Sequence, residues 1–480
     1  MTNYLKELPE IKMRIGGEWV SGAGRETIPV ENPANKQVVG KVPVATPADL
    51  AAALAAADQA FKTWSRTDPW ERAAIIQKAA TLLRERAEPI AEAMTLENGK
   101  HLGDSRGEVM FTADIMDTMA TEGPRRVGQV IPTAAHAGRT LVVPEPIGPV
   151  AAFTTWNYPL TVPARKVSAA LAAGCTVVLK AAEECPASAV ALVQALVDAG
   201  LPDGVVNLVF GNPAQISQTL IESPVIRKVS FTGSTPVGKQ LAALAGAQAK
   251  PIMLELGGHA PVLVFDDADV DAVAHSSFWS KLHNAGQSCG APTRFLVQRG
   301  VYDQFVAAIS ALNNDAVVAD GFTEGVQQAP LASQRRFDAM QPLVDDAVAK
   351  GARVTAGGAG DDSVGYFYRP TVLADVPLNA EIMREEPFGP IIAVTPFDTE
   401  DEAVALANDV DYGLAAFAFT NDAARAARLP GLLDFGMVSV NRFGVGGRDT
   451  YFGGRKQSGF GSEGGPEALD EYLTKKLIVT

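Results

Sequence analysis

Apolar residues recur at three- and four-residue spacing over 49–63 and again over 69–97, which predicts helices in both stretches. From residue 148 the pattern changes. Short apolar runs at 150–155, 176–180, 205–210, 229–232 and 252–256 read as strands. Between them lie helical stretches at about 160–173, 187–199, 214–222 and 237–245, punctuated by proline at the first start and by Gly174 and Gly200 at the ends. Five strands separated by four helices predict a parallel, doubly wound sheet. A second α/β series runs from residue 260 to about 440, with strands expected at 262–265, 294–298 and 391–394. The segments 127–131 and 141–146 read as a hairpin or a pair of extended arms around a polar connection containing Gly138. The fold class expected is α/β.

Composition narrows the function. The 480 residues, with 47% hydrophobic and 20% charged side chains, suit two or three globular domains. Asp and Glu outnumber Lys and Arg by 55 to 41, a formal charge of −14, which repels phosphate backbones and argues against nucleic acid as a partner. Three scattered cysteines (Cys175, Cys185, Cys289) and five histidines suit neither a disulfide framework nor a Cys-rich zinc site, and no metal is expected. The opening MTNYLKELPE has no apolar core for a secretory signal, and no window reaches about 18 uninterrupted apolar residues. A cytoplasmic protein without a membrane span is expected.

Parallel strands bring the residues that follow each of them to one sheet edge, where such folds bind ligands. After the first strand stand Thr155, Trp156 and Asn157; after the second, Lys180 and Glu183; after the third, Gly211. The fourth is followed by Gly233 and Ser234 opening a helix, which suits a pyrophosphate but also an ordinary turn. Glu255 ends the fifth. Two formal motifs are set aside. GSTPVGK (233–239) places Gln240 where an NTPase loop needs Ser or Thr, and GFGSEG (459–464) follows no strand of a βαβ unit and reads as a tail loop. Cys289, in NAGQSCGAPTR, has glycines on both sides that leave room for a substrate. It could serve a thiol hydrolase, and QSCG is reminiscent of a caspase-like signature, although Ala291 breaks that pattern. Cys175 and Cys185 read as core packing.

TTWNYPL, LKAAEECPASA, FTGSTPVG, LELGGHAP, NAGQSC, EEPFGP and FGGRKQSGFG occur in the order of the aldehyde dehydrogenase superfamily, which the chain resembles over nearly its whole length. The resemblance implies oxidation of an aldehyde to a carboxylic acid. Cys289 would be the nucleophile that forms a thiohemiacetal and then a thioester. Asn157 would stabilise the oxyanion with the Cys289 N–H, and Lys166 would hydrogen-bond the asparagine region. Glu255 would be general base for the hydrolytic water, with deprotonation of Cys289 as a second task. Lys180 and Glu183 would hold the adenosine ribose, favouring NAD over NADP because the carboxylate repels a 2′-phosphate. Thr155, Trp156, Gly211, Gly233 and Ser234 would complete the dinucleotide site, and Glu386 and Phe388 would hold the nicotinamide ribose.

The same resemblance places a Rossmann-like cofactor domain at 1–123 and 147–257, a catalytic domain at 258–456, and oligomerisation arms at 124–146 and 457–480, serving a homodimer or homotetramer. Arg165 matches an arginine that meets the substrate carboxylate in succinate-semialdehyde dehydrogenases, while their second arginine corresponds here to His283. An acid semialdehyde is one expectation; Trp279 and Phe452 equally suit a tunnel for aromatic or aliphatic aldehydes. On its own Arg165 reads as a helix-surface salt bridge and Lys166 as a surface lysine. The chain departs from the family's usual pattern at Ala181, His259, Gly290 and Tyr451.

Overall fold

A computed structural model describes residues 4–132 and 138–480. Its largest sheet contains the five expected parallel strands: β1 (Val150–Phe153), β2 (Val177–Lys180), β3 (Val206–Val209), β4 (Lys228–Thr232) and β5 (Ile252–Glu255). Their spatial order is β3-β2-β1-β4-β5, all pairs parallel. Every residue of β1 to β4 is buried. Burial on both faces explains why these strands read as continuous apolar runs and not as alternating patterns. Helices α1 (Thr161–Ala173), α2 (Pro186–Ala199), α3 (Pro213–Glu222) and α4 (Thr235–Ala247) make the crossovers. Gly174 and Gly200 close α1 and α2 in the left-handed conformation that prolongs no helix. The strand order reverses between β1 and β4, and the crevice at that switch point lies between Thr155–Asn157 and Gly233–Ser234.

A second sheet of seven strands holds β6 (Ala260–Val264), β7 (Pro292–Gln298), β8 (Thr371–Ala374), β9 (Ile391–Phe397), β10 (Ala415–Phe419) and β11 (Met437–Val440). These run parallel in the order β8-β9-β7-β6-β10-β11, with Arg353–Ala356 antiparallel at one edge. Strands β8, β10 and β11 escaped the sequence reading because runs of four or five residues such as TVLA, AAFAF and MVSV are too short to carry a clear period. Helix α5 (Val270–Leu282) links β6 to the turn that carries Cys289.

The expected helix over 69–97 is two helices, Pro69–Glu85 and Ala87–Asn98, with Arg86 between them at φ −103° and ψ 16°. Gln129–Ile131 and Thr140–Pro146 pair antiparallel, and Leu473–Val479 adds a third strand. The expected arms thus share a sheet; part of their connection, 133–137, lies outside the described residues, whereas Gly138 lies within them. The tail 457–480 does more than form an arm. The GFGSEG stretch is not a free loop: Gly459–Phe460 pairs antiparallel with β5 at Leu254 and Glu255, and Glu463 is buried beneath that strand's neighbours. Among the described residues, no helix is long and apolar enough to cross a membrane.

Candidate active site

The turn before Cys289 is an unusual piece of backbone. Asn284, Ala285 and Gly286 are consecutive left-handed residues, with φ 48°, 52° and 73°. Two of the three carry a Cβ and so sit where few residues settle unaided. The surroundings hold them there. The buried Gln287 side chain donates to Asn284 O at 3.1 Å and accepts from Ala332 N at 3.0 Å. The Asn284 amide donates to Asn157 O at 2.9 Å and to Gln287 O at 3.3 Å. Cys289 emerges from this braced turn half-buried, while Cys175 and Cys185 lie in the core.

Asn157 is tied to the same turn. Its Nδ2 donates to Gln287 O at 3.1 Å, and its Oδ1 accepts from the Thr155 hydroxyl. That arrangement fixes which end of the amide is the donor and leaves Nδ2 a second hydrogen. Below it, buried Lys100 donates to Asn157 O at 2.8 Å and pairs with Glu108 at 2.6 Å. Glu108 in turn accepts from the N–H groups of Leu160 and Thr161 at 3.0 and 3.1 Å, capping α1 from another helix. Asn98 donates to Trp156 O at 2.8 Å.

Glu255, the last residue of β5, is 3% exposed, and its Oε1 has no hydrogen-bond partner among the described residues. Burial holds its carboxyl far above the usual carboxylate range; the charge of Glu463 adds to this, and the hydrogen bond from the Cys289 thiol opposes it. The Cys289 thiol is likewise pushed well up, by burial first and then by the charge of Glu255. Burial and mutual repulsion therefore disfavour ionising both groups of the pair at once.

Lys166 does not reach the asparagine, nor is it a surface residue. It is fully buried, and its Nζ donates to Ser230 Oγ at 3.0 Å and to the Glu463 carboxylate. Glu463 also accepts from Thr232 Oγ1. The reason is electrostatic: the tail brings a carboxylate under β4, and a lysine buried there must pair with it. Arg165 is no helix-surface salt bridge either. Only 6% exposed, it donates to Glu463 O at 3.1 Å and lies over the rings of Phe452 and Phe111 at 4.9 and 5.8 Å.

A cavity of about 1460 Å³ connects these groups. It is lined by Thr155, Trp156, Asn157, Gly233, Ser234, Glu255, Cys289, Glu386 and Phe388, and also by Arg165, His283 and Phe452. Exposed Ser234 is the N-cap of α4, and its side chain makes no capping bond, so the helix N-terminus is open to an anion. Glu386 accepts from Gly258 N at 3.1 Å and is raised by burial to about 8. Phe388, at φ 44°, meets Trp156 edge-on at 5.6 Å, and Arg336 holds that loop by donating to Pro387 O at 2.5 Å and Phe388 O at 3.2 Å. Lys180, Glu183 and Gly211 do not line this cavity and form a separate group. Glu183 pairs with Lys180 at 2.6 Å and accepts from Gly211 N at 2.8 Å. His283 stacks on Tyr158 and places Nδ1 3.2 Å from Asp104. Among the described residues, no group of three or more His, Cys, Asp or Glu side chains is arranged to hold a metal.

Sequence reading missed Asn284, Lys100, Glu108, Glu463 and Arg336. Their partners are far away along the chain, 297 positions in the case of Glu463 and Lys166, and no local pattern marks them.

The model of the aldehyde dehydrogenase family matches residues 19–478. The 4-(hydroxymethyl)benzenesulfonate dehydrogenase of Comamonas testosteroni is 45% identical, covering 100% of this chain and 99% of its own. The NADP(+) succinate-semialdehyde dehydrogenase of Escherichia coli K12 is 40% identical, covering 97% and 96%. The crystal structure of a succinate-semialdehyde dehydrogenase from Burkholderia pseudomallei superposes with a TM-score of 0.96 at 38% identity, covering 98% of each chain.

Proposed function

The chain belongs to the aldehyde dehydrogenase family, and from that premise we propose that it oxidises an aldehyde to a carboxylic acid through Cys289, with NAD as hydride acceptor. The observation that carries this reading is the meeting, in one cavity, of the Cys289 thiol, the Glu255 carboxyl and the Asn157 amide. The open N-terminus of α4 at Ser234 fits a pyrophosphate, and Glu386 and Phe388 fit the nicotinamide ribose. A nicotinamide dinucleotide held there supplies the hydride acceptor.

The residues divide the work as follows. Glu255 takes the thiol proton, and the Cys289 sulfur adds to the aldehyde carbon. Asn157 Nδ2 and the Cys289 N–H donate to the new oxyanion, and bracing by Thr155, Asn284 and Lys100 means that little reorganisation is needed. Loss of hydride from the tetrahedral carbon leaves a thioester on Cys289. Glu255, having passed its proton on, then draws a proton from water, whose oxygen attacks the acyl carbon and releases the acid. Replacing Asn157 with alanine is expected to lower kcat by about 10²-fold while the affinity for cofactor, read by fluorescence titration, stays within about twofold.

Glu183 supports NAD over NADP. Both of its oxygens are engaged, by Lys180 and by Gly211 N–H, and the charge so held would repel a 2′-phosphate on a ribose bound beside it. The Escherichia coli relative is named for NADP(+), so the two cofactors must be compared directly. The test is formation of reduced cofactor over an aldehyde panel with NAD and NADP in parallel. The expected result is turnover with a higher kcat/KM for NAD. No reduced cofactor from any aldehyde would overturn the redox reading in favour of a thiol esterase.

Arg165 supports a substrate with an anionic group remote from the aldehyde. Burial makes the guanidinium ready to pair with an anion, and two aromatic rings fix its plane. Succinate semialdehyde is one such substrate. Arg165→Leu is expected to raise KM for it about 30-fold, with a much smaller change for an uncharged aldehyde; equal changes for both would remove the anion from the reading. The three-stranded sheet exposes Val130 at 72% and Leu477 at 64%, which supports a homodimer or homotetramer joined there.

A further inference from the structure

Three glycines surround the nucleophile, and only two of them are required by the fold. Gly286 has φ +73°, and a Cβ there would lie 2.4 Å from Gly389 O. At Gly258 a Cβ would lie 2.1 Å from Cys289 O. A side chain at either position forces backbone apart. Gly290, next to Cys289, is different. Its φ is outside the left-handed region, and a Cβ would meet only Val445 Cγ2, at an ordinary 3.6 Å. The backbone accepts any small residue there, and what glycine provides is open space on the cavity wall beside the sulfur.

That space leads in one direction. From Val445 the wall continues to Gly446, which packs against the Phe452 ring, and Phe452 lies under the Arg165 guanidinium at 4.9 Å. Apolar surface therefore borders the aldehyde carbon, and a buried cation stands at its far end. A linear semialdehyde needs no extra width next to the carbonyl. A planar ring bonded directly to the carbonyl carbon does, because its ortho positions flank the reacting atom.

We propose that Gly290 is a specificity-determining residue that admits an aryl aldehyde with an anionic group on the ring, the ring filling the space beside Gly290 and Val445 and the anion meeting Arg165. The inference rests on the oxidation of aldehydes at Cys289 and names the class of substrate for that same site.

The test compares 4-carboxybenzaldehyde with succinate semialdehyde in the full-length enzyme, following reduced cofactor, for the native chain and for Gly290→Ala and Gly290→Val. The native enzyme is expected to favour the ring by at least about tenfold in kcat/KM. The ratio of ring to linear substrate should fall about threefold in Gly290→Ala and more than about tenfold in Gly290→Val. Should the valine variant fail to fold, as read by its melting temperature, the alanine variant decides, since its Cβ meets no clash. A native preference for the linear substrate, or an equal loss for both substrates in the variants, overturns the ring assignment while leaving aldehyde oxidation intact. Absence of reduced cofactor from every aldehyde overturns both.

Discussion

Replacing Cys289 with alanine is expected to lower aldehyde-dependent formation of reduced cofactor by about 10⁵-fold or more. No other thiol can take its place: Cys175 and Cys185 are 0% and 1% exposed and lie in the core, away from the cavity that Cys289 lines. The loss is chemical and not structural. Cys289 is half-buried, its turn is braced by Gln287 and Asn284, and alanine removes one sulfur without disturbing either. The melting temperature and cofactor affinity should therefore remain close to native. Residual turnover above about 1% would remove Cys289 from the mechanism, because a group that forms the covalent intermediate cannot be lost so cheaply.

Glu255→Gln is expected to separate the two halves of the reaction. Glutamine keeps the shape of the buried side chain and loses only the capacity to accept a proton. Acylation should slow, because Glu255 no longer takes the thiol proton, but should still yield a burst of reduced cofactor approaching one equivalent per site, whereas the steady rate should fall further, about 10³-fold, as thioester hydrolysis loses its base. The pH dependence follows from the direction of the shift. Burial raises the folded carboxyl above its ordinary value, so at low pH it is protonated and cannot serve. The native steady rate should climb as pH rises through that raised value, and the climb should flatten in the variant. Rapid-mixing measurements across pH 6 to 9 decide it; equal loss of burst and steady rate would remove Glu255 from thioester hydrolysis and leave it the thiol proton alone.

The layout of the cofactor-type sheet was legible because parallel strands buried on both faces are written as uninterrupted apolar runs, and glycine and proline punctuate the helices between them. The same regularity brought Asn157, Gly233 and Glu255 to one edge on paper. Long-range electrostatics was not legible. The resemblance links Lys166 to the asparagine at that sheet edge, yet its charge answers Glu463, across the fold. GFGSEG reads as a loop because it follows no strand of a βαβ unit, and its pairing to β5 is visible only once the sheet edge exists. Arg165 looked solvated because it follows helix spacing, whereas α1 is buried over its whole length. The left-handed run at Asn284–Gly286 has no signature either: only the last of its residues is glycine, and tertiary contacts hold the rest.

The burial of Glu463 has a consequence for how the protein comes into being. The chain is made from its N-terminus, and Lys166 leaves the ribosome long before Glu463 does. Until residues 459–463 are synthesised and laid against β5, the interior beneath the site contains a lysine without its carboxylate, and burying it would be strongly unfavourable. The floor of the reactive centre therefore closes only once the stretch 459–463 is in place. A chain that stopped before Glu463 would keep its thiol but not the polar floor beneath it.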